Sequence, residues 1–192
     1  MVSKETKKAW LSGKKKLLLL AVLLVIPAMV AVAAVFIYYP MNVNIQQQSP
    51  PVQFTNGSNS GQADLEGQTI TTDIGANKTS VTLSLHPTYQ RSYYQDILHI
   101  TNGGTQKYQV YIRVDTPMTL PSGGYAKMYI INGTNKYTID LTTTGTTTIG
   151  TIPSGNTWQV DVEIYIPEGN TLTTTSASVS LIYTPETGET PP

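Results

Sequence analysis

Cysteine is absent from the 192 residues, histidine occurs twice, and only 12% of the residues are charged. Without cysteine there is no disulfide framework and no thiolate-held zinc or iron–sulfur centre. His86 and His99 alone do not supply a histidine-rich metal site or a relay of imidazoles. The few charges are also segregated. Lys4, Lys7, Lys8, Lys14, Lys15 and Lys16 against Glu5 give +5 at the N-terminus, which leaves −5 for the rest of a chain of net charge 0. A mildly acidic body with scattered single charges is poorly suited to a polyanion, so nucleic acid is not expected as a partner.

One long apolar run is present, Leu17 to Tyr39, and it follows directly on the lysines. Its length is enough to cross a bilayer, with the lysines held on the cytoplasmic side. It also divides into an apolar core from Leu17 to Ile26, a helix-breaking Pro27 and the small-residue pattern Ala31-Val32-Ala33. That arrangement fits a secretion signal cut by signal peptidase between Ala33 and Ala34, after passage through the secretion machinery. Residues 1–33 are therefore expected to be a signal, with a retained membrane anchor as the alternative. A third reading is a type-IV-like pilin, cut near Gly13 so that the apolar helix is kept in a filament core. All three place the body of the protein outside the cytoplasm.

After Pro40 the composition turns to Thr, Tyr, Asn, Gln, Gly and Ser, and the apolar period becomes two residues. Alternating sets occur at Val81, Leu83 and Leu85, at Tyr94, Leu98 and Ile100 with Asp96 intruding, and at Tyr108, Val110, Ile112 and Val114. Further strands are expected over Tyr125–Ile131 and Lys136–Leu141, and at Trp158, Val160, Val162, Ile164 and Ile166. The last is marked by Ala177, Val179, Leu181 and Tyr183. Turn sequences such as Asn102-Gly103-Gly104, Asn132-Gly133 and Pro167-Glu168-Gly169-Asn170 separate them. The pattern predicts an all-β chain with a single β-sandwich, Ig-like or jelly-roll, over residues 65–183. Residues 184–192 are expected to be a flexible tail, and the Thr-rich run from Leu141 to Ile149 an edge or loop.

Residues 34–64 invite a functional reading. Cleavage after Ala33 would leave a mature chain beginning AVFIYYPMNVNIQQQSPPVQF. Tyr39, Met41, Val43 and Ile45 alternate with polar neighbours from Asn42 on, and Val52 and Phe54 follow the Pro50-Pro51 interruption. Such a segment templates aggregation unless something covers it. Added as a strand to the open sheet of a second copy, it would pair its backbone and bury its alternate side chains together. Each burial is worth about 1.5–3 kcal/mol before the ordering cost. Giving and receiving surfaces differ, so the contact is head-to-tail and propagates as a filament. The plainer alternative is that Tyr39–Ile45 is the first strand of its own sandwich.

Four features carry a resemblance: the Lys-rich export signal, the segment from Tyr38 to Ile45 (YYPMNVNI), the cysteine-free β-domain, and SYYQDILHITNGG from Ser92 to Gly104. In these the chain resembles archaeal bundling-pilus or thread subunits and is distantly similar to the TasA/camelysin family of biofilm fibres. The resemblance implies a secreted subunit that forms a homopolymer by donor-strand complementation, in filaments that bundle and serve cell adhesion or biofilm. By position it makes Val43 and Ile45 donor-strand side chains, with Tyr39 and Met41 as companions. Camelysin relatives have been classed as peptidases, but this chain has no HExxH motif and no GxSxG elbow.

No catalytic residue, metal ligand or cofactor is expected. Asp115, Asp140, Asp161 and Glu163 fall on different strands, and Asp161 and Glu163 occupy alternate positions that read as a solvated face. Cross-strand pairing with Lys127 or Arg113, or a structural Ca²⁺, would be their further uses. Tyr108, Tyr111, Tyr125, Tyr129 and Tyr165 read as sheet-packing residues. Three N-x-[ST] sequons, at Asn56, Asn77 and Asn132, lie in or beside turns and are candidate acceptors of N-glycans in an exported chain.

Overall fold

The computed structural model describes Gly13, residues 15–18, 20, 21, 36–170 and 173–192. Ala33 and Ala34, where cleavage is expected, lie outside the described residues. Gly13 and residues 15–18, 20 and 21 are helical, and among the described residues no helix is long and apolar enough to cross a membrane. The chain forms two units, Met1–Gln46 and Gln47–Pro192.

The second unit is all-β. Its strands are β1 (Val52–Asn56), β2 (Thr71–Ile74), β3 (Val81–Ser84), β4 (Gln90–Asn102), β5 (Tyr108–Thr116), β6 (Tyr125–Asn132), β7 (Asn135–Asp140), β8 (Gly145–Ile152), β9 (Thr157–Ile166) and β10 (Ser178–Thr184). All pairings are antiparallel. They form a five-stranded sheet in the order β1-β4-β9-β6-β7, a three-stranded sheet in the order β10-β5-β8, and the hairpin β2-β3. The large sheet packs its inner face against the other two, and the apolar core between them is that of a sandwich.

The core follows from the two-residue period. On β9, Trp158, Val160, Val162, Ile164 and Ile166 all point inward and are buried, as their alternation requires. β4 departs from strict alternation at the intruding Asp96. There the register with β9 shifts between Tyr94 and Leu98, and Asp96 adopts φ 49°. This bulge lets both Ile97 and Leu98 reach the core, which no unbroken strand permits.

Three segments are placed more closely by the structure, the first of them against expectation and the second as the edge that was expected. Val52 and Phe54 belong to the sandwich, not to the segment before it: β1 pairs with β4 over its whole length and Val52 is buried. The domain therefore begins well before residue 65. The physical break is Pro50-Pro51, which ends the alternation of the upstream segment. In the Thr-rich run, residues from Gly145 onward form β8, the edge of the three-stranded sheet. The C-terminal stretch forms no strand beyond Thr184, yet Tyr111 Oη donates to the Glu189 carbonyl and Arg113 donates to the Pro192 carbonyl at 2.9 Å.

Candidate functional site

The sandwich is open between β3 and β10. Each pairs on one side only, β3 with β2 and β10 with β5, and no described residue pairs with the other edge of either strand. The two run in opposite directions: the Lys78–Val81 end of β3 lies by the Tyr183 end of β10, and Leu85 to Pro87 lie by Ala177. Between them a groove of about 900 Å³ reaches the core. Its floor is the five-stranded sheet, through Leu98 and Ile100 of β4, Val160, Val162 and Ile164 of β9, and Met128 of β6. Its walls are Val81, Leu83 and Leu85 on one side and Ala177, Val179 and Leu181 on the other. The groove therefore has apolar walls and is flanked by strand edges whose backbone donors and acceptors are unpaired among the described residues.

Residues 36–50 carry no secondary structure, and every side chain from Phe36 to Ile45 is exposed. Tyr39, Met41, Val43 and Ile45 stand at 85, 82, 67 and 89% exposure. Val43 and Ile45, β-branched, favour an extended backbone. The odd positions from Ile37 to Ile45 are apolar without exception, whereas Asn42 and Asn44 make the later part of the even face polar. The stretch Tyr39–Ile45 is seven residues long, and so is β10. The chain thus carries an exposed alternating segment without secondary structure and, in its second unit, two strand edges with no partner among the described residues. Tyr39, Met41, Val43 and Ile45, expected in a donor strand, all lie in the stretch without secondary structure.

No family model matches this chain, and no curated protein matches it either. The functional reading therefore rests on the residues.

Asp161 and Glu163 overturn the expectation of a solvated face, being 1 and 5% exposed. They do sit on the outer face of the large sheet, but side chains from neighbouring strands cover them. Arg91 clamps both Glu163 oxygens, Nε to Oε1 at 2.8 Å and an amino nitrogen to Oε2 at 3.1 Å. Tyr125 Oη donates to Glu163 Oε1 at 2.7 Å and Tyr129 Oη to Oε2 at 2.9 Å. Asp161 accepts from Tyr93 Oη at 2.6 Å, the Asp96 amide at 2.8 Å and Gln159 Nε2 at 2.7 Å. The expected partners do not supply these bonds: Arg113 pairs with Asp115, and Lys127 lies over the Tyr125 ring. With their lone pairs taken by phenols, amides and a guanidinium, the two carboxylates are a structural network.

The histidines are separate. His86 Nδ1 lies 3.0 Å from Asp64 Oδ2, and His99 Nε2 lies 2.6 Å from Asp96 Oδ1. Among the described residues no group of three or more His, Cys, Asp or Glu is gathered as a metal site would require. Burial works against the charge of Asp64, but hydrogen bonds from the Leu65 amide and from His86 outweigh it and hold the carboxyl below its ordinary value. These bonds anchor the segment after β3, and so one wall of the groove.

The sequons also lie apart. Asn56 ends β1, and its Ser58 hydroxyl is bonded to the Asp96 carboxylate. Asn132 opens the tight turn from β6 to β7. Asn77 lies in the exposed β2–β3 turn, and with Thr79 it borders the depression at the Tyr183 end of the groove. The alternating sets Val81, Leu83, Leu85 and Ala177, Val179, Leu181 of the two walls are visible in sequence, but the groove is not, because its edges are close only in the folded chain.

Proposed function

We propose that this protein is a secreted structural subunit of an extracellular filament, polymerised when Tyr39–Ile45 of one copy fills the groove between β3 and β10 of the next. The observation that carries this reading is the pair of complementary defects in one chain: an exposed alternating segment and a sandwich lacking one strand. Insertion satisfies both edges and buries Tyr39, Met41, Val43 and Ile45, each contributing about 1.5–3 kcal/mol before ordering. Since the two surfaces differ, each subunit gives and receives, and the assembly grows without closing. The role is mechanical and not enzymatic, with the filaments bundling to serve cell adhesion or biofilm. Glycans on Asn77 or Asn132 would add polar cover to a surface poor in charge.

The test is electron microscopy of material sheared from producing cells, with N-terminal sequencing of this chain in it. Filaments whose subunit starts near Ala34 are expected. A subunit starting near Gly13 or Lys14 would favour the pilin-like assembly. No filaments, with Leu17–Tyr39 retained in membranes, would make the chain an anchored surface domain.

A further inference from the structure

Resting on that reading, we infer the direction of the inserted strand: it lies antiparallel to β10, with Tyr39 at the Tyr183 end of the groove and Ile45 at the Ala177 end. There it joins the hairpin β2-β3 to the sheet β10-β5-β8 as a single six-stranded sheet facing the five-stranded one.

The groove has two distinguishable ends. At the Tyr183 end, Gln47 to Pro51 of the subunit's own chain border a depression together with Asn77, Thr79 and Tyr183. This linker is pinned there, with the Pro51 carbonyl accepting from the Gly103 amide at 2.8 Å and the Pro50 carbonyl from Gln53 Nε2 at 2.8 Å. Each subunit's donor segment therefore departs from the Tyr183 end. Residue 45 is two positions from residue 47, so a strand placed in its own subunit's groove would have Ile45 at that end and would run parallel to β10. A donated strand with the same direction would bring a second linker, and a second domain, onto the depression that the first already borders. The opposite direction puts the donor's domain beyond Ala177 and leaves the Tyr183 end free for the acceptor's own strand to depart. Arrival and departure at opposite ends are what a straight, open chain of subunits requires.

Pairing energetics favour the same choice. β10 offers seven residues and β3 four, and antiparallel pairing is the more stable per residue, so the longer edge takes the antiparallel partner. Tyr39, Met41, Val43 and Ile45 then face the core alongside Tyr183, Leu181, Val179 and Ala177, which alternate in the same phase.

Because the native chain has no cysteine, engineered pairs report direction without background. Four full-length variants suffice: Tyr39→Cys combined with Leu181→Cys or with Tyr183→Cys, and Ile45→Cys combined with the same two. Positions 39 and 45 are about 20 Å apart in a strand, whereas a disulfide needs Cα atoms within about 7 Å, so a shift of register by two residues does not confuse the ends. Assembled material is oxidised and run on non-reducing gels. The expected result is an interchain ladder from a Tyr39 pair and none from either Ile45 pair. A ladder from an Ile45 pair would reverse the direction, and a disulfide-closed monomer from an Ile45 pair would show self-insertion; either overturns the inference. Filaments that form while none of the four pairs cross-links would remove the groove as acceptor, and with it the strand-donation reading itself. Cryo-electron microscopy of unsubstituted filaments reads the same direction where a variant does not assemble.

Discussion

Glu163 shows what a single buried carboxylate contributes. Burial raises the cost of its charge, but hydrogen bonds from Tyr125 and Tyr129 and the Arg91 guanidinium outweigh that cost and hold the carboxyl below its ordinary value of 4.5. A carboxyl whose folded pKa is depressed stabilises the fold above its unfolded pKa, and that contribution disappears as the pH falls through the folded value. Thermal melts are therefore expected to lose midpoint as the pH drops below 4.5. Glu163→Gln should melt lower at neutral pH, by the equivalent of about 1–3 kcal/mol, and show a shallower acid dependence than the parent. An unchanged acid profile would mean that Glu163 is not a source of it. Gly57 is constrained in a different way: a Cβ there would meet the Asp96 carbonyl oxygen at 2.1 Å, against the bulge of β4. Gly57→Ala is expected to cost about 3 kcal/mol by chemical denaturation, since backbone must give way. Neither role was readable beforehand. Asp161 and Glu163 alternate with apolar residues as any solvated pair would, and only the fold brings Arg91, Tyr93, Tyr125 and Tyr129 from two other strands over them.

Strands with clean alternation were legible in sequence, and β9 is the plainest case because Trp158, Val160, Val162, Ile164 and Ile166 form an unbroken inward set. β8 was less so, since Thr serves both edge strands and loops, and β1 was merged with its upstream neighbour across Pro50-Pro51. The alternation of Tyr39, Met41, Val43 and Ile45, which the proposed function reads as a donor strand, is visible in sequence for the same reason as that of β9. The proposed acceptor is not: Val81 and Val179, which border one opening, are nearly a hundred positions apart. The alternation itself is testable. Val43→Asp with Ile45→Asp should abolish polymerisation and leave the melting of the sandwich unchanged, because these side chains are exposed in the subunit and insertion as proposed would bury them. Asn42→Asp with Asn44→Asp, on the polar face, should polymerise as the parent does. Filaments of equal number from both double variants, counted by negative stain, would refute insertion of the odd face.

On the proposed reading, assembly would turn two marginal features into one stable one, since a second copy would cover both the segment and the groove. Polymerisation should therefore rise with concentration and, once complete, raise the melting temperature of the sandwich, as any partner that binds only the folded state does. Calorimetry of monomer and filament fractions checks this, and equal midpoints would count against insertion. The direction of the strand also decides how load is carried. In a filament built this way, tension acts along the inserted strand, so the hydrogen bonds on both of its flanks resist sliding together and do not open one by one. The pull then passes from the strand into the next domain through Gln46 to Pro51, where the two prolines fix the backbone at a point tied to Gly103. Stretch is confined to the few residues between Ile45 and Pro50, and the domains behave as stiff links in a chain with short, taut joints.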